Sequence, residues 1–187
     1  HIFGIKGSYA VDPQKGAVVM TLTTQGDVPI HYTLDGSEPT AASPRYTGPV
    51  EIGKSARFRA TALREGGENA SYSREFAFSK STGRPAVLNT KPNDSYTFEG
   101  ASLLVDGYHS RPVFTSGAWL GYLDEPLDVT IDMGGEQSYR SVELETLAEK
   151  GDWIFPPSSV TVWVSDNGTD FTEVASVAVP EAKAGDA

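Results

Sequence analysis

The sequence predicts an all-β protein built from two small modules. Two observations carry the class. Apolar and polar residues alternate with a period of two wherever periodicity is visible, and glycine-containing turn signals recur between those stretches. A third observation sets the number of modules: the Ser- and Gly-rich run Ser79-Lys80-Ser81-Thr82-Gly83-Arg84-Pro85 separates two blocks of strand-like sequence. At 187 residues the chain has room for one large or two small domains. The boundary is expected there, giving modules over 1–82 and 83–187.

Taken in order, the first clear strand places Met20 and Leu22 opposite Val19, Thr21 and Thr23. Ile30 to Leu34 forms a second strand, which enters a tight Asp35-Gly36 turn and a loop stiffened by Pro39, Pro44 and Pro49. His31 is expected to be exposed on that strand. From Ala56 to Ala62, Phe58, Ala60 and Ala62 share one face, with Arg57, Arg59 and Thr61 on the other. In the second block Val129 and Ile131 alternate with Asp128, Thr130 and Asp132. Val142 and Leu144 alternate with Glu143 and Glu145, and Val160, Val162 and Val164 with Thr161, Trp163 and Ser165. The Glu, Leu and Ala residues of 142–150 have good helix propensity, but the alternation predicts a strand. Asp166-Asn167-Gly168 reads as a hairpin turn rather than a calcium loop, because it lacks the spacing and the terminal Glu of an EF-hand.

Composition narrows the function. The 39% hydrophobic and 21% charged residues suit a packed globular protein. A net charge of -10 opposes phosphate-tracking surfaces, so neither nucleic acid nor an anionic membrane is an expected partner. No apolar run reaches the roughly 18–20 residues of a membrane helix. With no Cys, disulfides and thiolate metal sites are excluded. His1 to Tyr9 lacks the apolar segment of a signal peptide, and the chain reads as a piece of a longer polypeptide.

Two runs resemble known families. Tyr32-Thr33-Leu34-Asp35-Gly36-Ser37-Glu38-Pro39-Thr40, followed by Ser43 and Tyr46, resembles the signature of the chitobiase/β-hexosaminidase C-terminal domain, an immunoglobulin- or fibronectin-like β-sandwich. The resemblance covers residues 9 to 80. In the second block, Leu104-Val105-Asp106-Gly107, Trp119-Leu120-Gly121-Tyr122, Trp153-Ile154-Phe155-Pro156 and Val164 to Phe171 follow an order similar to the discoidin, or coagulation-factor type C, jelly roll. Their spelling looks like the version appended to family 20 glycoside hydrolases of gut-type Bacteroidetes. A discoidin domain is ordinarily longer than 83–187, so this one is expected to be incomplete at its C-terminus.

Together the resemblances imply the non-catalytic accessory region of an exported β-N-acetylhexosaminidase or chitobiase, periplasmic, secreted or on the cell surface. No catalysis is expected of this chain. Asp124-Glu125 is not expected to be a catalytic pair, because the family's acid and orienting pair sits in a (β/α)8 barrel of roughly 250 residues. Before Pro126 the two carboxylates read as a solvated loop. His1, His31 and His109 have no nucleophile elbow beside them.

The candidate site is the aromatic-rich segment 108–122. Sugar rings stack their C–H faces on aromatics and need directional hydrogen bonds from polar neighbours, and Tyr108, His109, Arg111, Trp119 and Tyr122 supply that mixture. The expected partners are a glycan containing N-acetylhexosamine or galactose and the catalytic domain of the same polypeptide. The competing expectation is that Trp119 and Phe114 plug the module as core residues and that both modules only buttress the catalytic barrel. Trp153 is expected to pack among Ile154 and Phe155. No cofactor is required, but the discoidin resemblance implies a structural Ca2+ held by Asp106 with Thr115 or Ser116 as helper, as oxygen-only loop coordination allows.

Overall fold

The computed structural model describes residues 3–180. The chain is all-β apart from short 3-10 turns, and it divides into two compact units, His1–Met133 and Gly134–Ala187.

The first unit begins with six strands: β1 (Ile5–Asp12), β2 (Ala17–Thr24), β3 (Ile30–Thr33), β4 (Val50–Ile52), β5 (Ala56–Ala62) and β6 (Ala70–Phe76). They form two antiparallel sheets, ordered β1-β2-β4 and β3-β5-β6. The alternation read from the sequence sets which face turns inward. Val18, Met20 and Leu22 of β2 meet Phe58, Ala60 and Ala62 of β5 in one apolar cluster, joined by Ile30, Val50, Ile52, Ala70 and Phe76. Each large side chain fully buried there contributes roughly 1.5–3 kcal/mol. Thr61 departs from the alternation. It lies on the outer face yet is buried, because the 35–40 loop folds over β5 and Thr61 Oγ1 donates to Glu38 Oε1 at 3.2 Å.

That loop shows why its residues occur at fixed spacing. Asp35 Oδ1 accepts from the Ser37 amide at 3.0 Å and the Ser37 hydroxyl at 2.6 Å, and Gly36 takes φ 84° with Arg57 pressed against it. The Ser37 hydroxyl holds the Asp35 carboxyl below its ordinary value. Glu38 pairs with Arg59. Ser43 Oγ accepts from the Thr40 amide at 3.0 Å, and Tyr46 returns to β3 through its amide on Ile30 O at 2.8 Å. The Tyr46 hydroxyl then accepts from the Leu22 amide at 3.0 Å, beyond the end of β4 where the ladder on that side of β2 has run out. His31, half-buried rather than exposed, places Nδ1 2.8 Å from Ser43 O.

The Ser79–Pro85 run lies within this unit. Gly83 donates to Val105 O, and Ala77 to Gly107 O, both at 2.8 Å. Gly83 has φ 77°, and a Cβ there would sit 2.5 Å from the Gly16 carbonyl carbon, so only glycine fits. Beyond it, β7 (Ala86–Leu88) pairs antiparallel with β8 (Val129–Ile131). The chain between them runs through 3-10 turns at Asp94–Tyr96, Gly100–Leu104 and Phe114–Ser116.

The second unit holds one hairpin among its described residues, β9 (Ser159–Val164) with β10 (Thr172–Ala178), connected by the expected turn. Asn167 organises it: Oδ1 accepts from the Thr169 and Asp170 amides at 2.9 and 2.8 Å. Two expectations fail here. Residues 142–145 form no strand, because no described strand runs alongside them; Val142 is 58% and Leu144 39% exposed. Trp153 does not pack inward. It is 83% exposed at the end of a Glu149–Ile154 turn, with φ 60°, and meets the edge of Phe155, itself 59% exposed. The Glu149–Ile154 bridge determines this: its paired backbone hydrogen bonds close a turn that forces Trp153 into the left-handed region. No described residue of this unit is buried. The described helical segments are all short 3-10 turns, and among the described residues no helix is long and apolar enough to cross a membrane.

Candidate functional site

The Asp106-Gly107 turn anchors the start of the candidate segment. Gly107 has φ 68° and sits so close to Thr82 that a Cβ would come within 2.9 Å of its methyl group. Asp106 is 5% exposed. Its Oδ1 accepts from the Tyr108 amide at 2.9 Å and its Oδ2 from the Tyr9 hydroxyl at 3.2 Å. Burial outweighs these bonds and lifts its carboxyl to about 6. The same burial, reinforced by the Asp106 charge, pushes the Tyr9 hydroxyl well above the ordinary tyrosine range.

Tyr108 turns back onto the sandwich. It is half-buried against the apolar cluster, with its ring edge-on to Tyr9 at 5.8 Å. Arg74 of β6 lies over it, Cζ 4.3 Å from the ring centroid, and donates from Nε to the Tyr72 hydroxyl at 3.1 Å. Arg74, β1 from Gly7 to Val11 and the 99–118 segment line a cleft of about 260 Å3. Gly7 is part of its wall, and a Cβ there would lie 2.3 Å from the Tyr72 ring.

The remaining candidates lie further along the segment. His109 and Arg111 are exposed, and the Arg111 carbonyl accepts from Trp119 Nε1 at 3.2 Å, which fixes the half-buried indole. Gly117, at φ 82°, ends the Phe114–Ser116 turn and lets the chain reverse toward Trp119. Phe114 packs toward Tyr96 at 6.5 Å between centroids. Tyr122 is half-buried and donates to Thr90 O at 3.4 Å; burial raises its hydroxyl above the ordinary value. The structure thus joins Arg111 to Trp119 and Asp106 to Tyr108, while Tyr122 is tied to Thr90. Asp124 and Glu125 are both exposed, as a solvated loop requires.

Asp106 and Thr115 are the residues that the discoidin resemblance implies for calcium. Both Asp106 oxygens already face hydrogen-bond donors, Thr115 is exposed, and among the described residues no group of three or more His, Cys, Asp or Glu gathers. Sequence reasoning missed Tyr9, Tyr72 and Arg74. Each is an ordinary strand residue, and only the return of the 105–108 segment onto β1 and β6 brings them together.

Residues 7–74 match the family model of the chitobiase/beta-hexosaminidase C-terminal domain, a non-catalytic module of glycoside hydrolases. The match spans the six-stranded part of the first unit. No curated protein matches the chain.

Proposed function

We propose that the chain is the accessory region of a β-N-acetylhexosaminidase or chitobiase, with a sandwich that spaces and supports the catalytic domain and a following discoidin-like portion that binds glycan. In this reading the parent enzyme is an exported, periplasmic or cell-surface hydrolase of Bacteroidetes type, and its accessory region holds a chitin-like or galactose-containing chain near the catalytic domain. The family match supports the first half, together with the finding that the signature residues Asp35, Ser43 and Tyr46 each hold a loop or a strand end rather than a reactive group.

One observation carries the second half. Trp119 is held by Nε1 on the Arg111 carbonyl, its ring only half-buried, in a segment that also exposes His109 and Arg111. A fixed aromatic face beside polar side chains suits a sugar ring. The structural alternative draws on Tyr108, whose ring is used by Arg74 and the core. Titration with chitobiose, N-acetylglucosamine and galactose separates the two. Glycan binding that weakens about tenfold in Trp119→Ala, a loss of about 1.4 kcal/mol, and also weakens in His109→Ala is the expected result. No binding of any of these sugars leaves the structural role.

A further inference from the structure

We propose that the cleft beside Arg74 is a binding site for a carboxylate group, carried by a sugar acid or by a small organic acid. Arg74 is half-buried, with Cζ 4.3 Å from the Tyr108 ring centroid and 5.6 and 5.7 Å from those of Tyr9 and Tyr72. Rings on several sides, with Nε bonded to the Tyr72 hydroxyl, hold the guanidinium in one orientation. Its terminal amino groups form no ion pair among the described residues. A guanidinium partly withdrawn from water without a carboxylate is a charge out of balance, and the group that balances it best is planar and accepts two parallel hydrogen bonds.

The chain's own acids in the cleft do not meet that need. Asp106 is bonded to Tyr9 and Tyr108, and Glu99 is exposed on the rim without pairing to Arg74. A volume of about 260 Å3 limits the ligand to one sugar ring or something smaller. Ser102, Ser110 and Ser116 also line the cleft; the Ser102 and Ser110 hydroxyls donate to Glu99 O and Arg111 O, which leaves their oxygens as acceptors for a sugar hydroxyl. This site does not depend on the glycan reading above, which rests on Trp119.

Isothermal titration of the whole chain with sodium glucuronate, sodium acetate and glucose tests the proposal. Glucuronate is expected to bind where glucose does not. Arg74→Gln is expected to weaken glucuronate at least tenfold, with Arg74→Lys, which keeps the charge and loses the fork, in between. Glu99→Gln removes a like charge from the rim and is expected to strengthen binding; that variant keeps the test decisive should Arg74→Gln fail to fold. Tighter binding of glucuronate than acetate assigns the site to sugar acids, and equal binding assigns it to small organic acids. Glucose bound as tightly as glucuronate, a folded Arg74→Gln with unchanged affinity, or a Glu99→Gln without gain overturns the proposal. Loss of chitobiose binding in Trp119→Ala leaves it standing.

Discussion

At the scale of single residues, Asp106 links the candidate segment to the sandwich and gives the fold a pH dependence of unusual sign. Its carboxyl rises from 3.8 to about 6 on folding, chiefly because burial disfavours the charged form. The folded chain therefore holds its proton over a range in which the unfolded chain has released it. The contribution is fully favourable below about pH 4, declines as pH rises through 6, and is lost above that, a difference on the order of 3 kcal/mol. Asp106→Asn should remove this component. Urea unfolding of both proteins between pH 3.5 and 7.5 should show Asp106→Asn gaining relative to the parent as pH rises, and a constant difference between them would refute the assignment. The sequence marked Asp106 and Tyr108 through the Asp-Gly turn and the aromatic content of the segment. It held no sign of Tyr9, which lies 97 positions away, or of Arg74, because strand alternation tells which face a residue occupies and not what later folds onto that face. Trp153 misled for a related reason. Its apolar neighbours suggested burial, while the backbone hydrogen bonds of the 149–154 turn decided its direction.

At the scale of elements, the strands that were legible are those whose alternating face found a partner sheet. β2 and β5 combine a strict apolar face with ladders on both sides, and both lie where their pattern puts them. Residues 142–145 carry an equally regular pattern and remain irregular, since a strand is stabilised by its cross-strand neighbours and no described strand lies beside them. The short edge β4 illustrates how such limits are managed. It ends opposite Met20, and the Tyr46 hydroxyl takes over as acceptor for the Leu22 amide. Tyr46→Phe keeps the ring and leaves that buried amide unpaired, at a cost of about 1–3 kcal/mol. A urea midpoint lowered by that amount with an unchanged slope is the expected result. A shift inside about 0.5 kcal/mol, typical of inert surface changes, would contradict this role.

At the scale of the whole molecule, stability is distributed unevenly between the two units. Among the described residues every buried apolar side chain lies between Ala17 and Val105, and the β9–β10 hairpin has a fully exposed second strand. An isolated two-stranded hairpin is marginal in water. Hydrogen exchange of the full chain should therefore find the β2 and β5 amides exchanging slowest and those of 134–180 orders of magnitude faster, as expected for regions with few buried apolar contacts. Comparable protection in β9 and β2 would show that the hairpin is covered in solution. The placement of the indoles has a practical counterpart. The three tryptophans are Trp119, Trp153 and Trp163, and the β1–β6 sandwich contains none, its aromatic core being Phe and Tyr alone. Intrinsic tryptophan fluorescence is consequently blind to the most stable part of the protein. An emission spectrum dominated by solvent-facing Trp153 and Trp163 would resemble that of an unfolded chain while the sandwich was intact, so its melting has to be followed through tyrosine signals or far-UV dichroism.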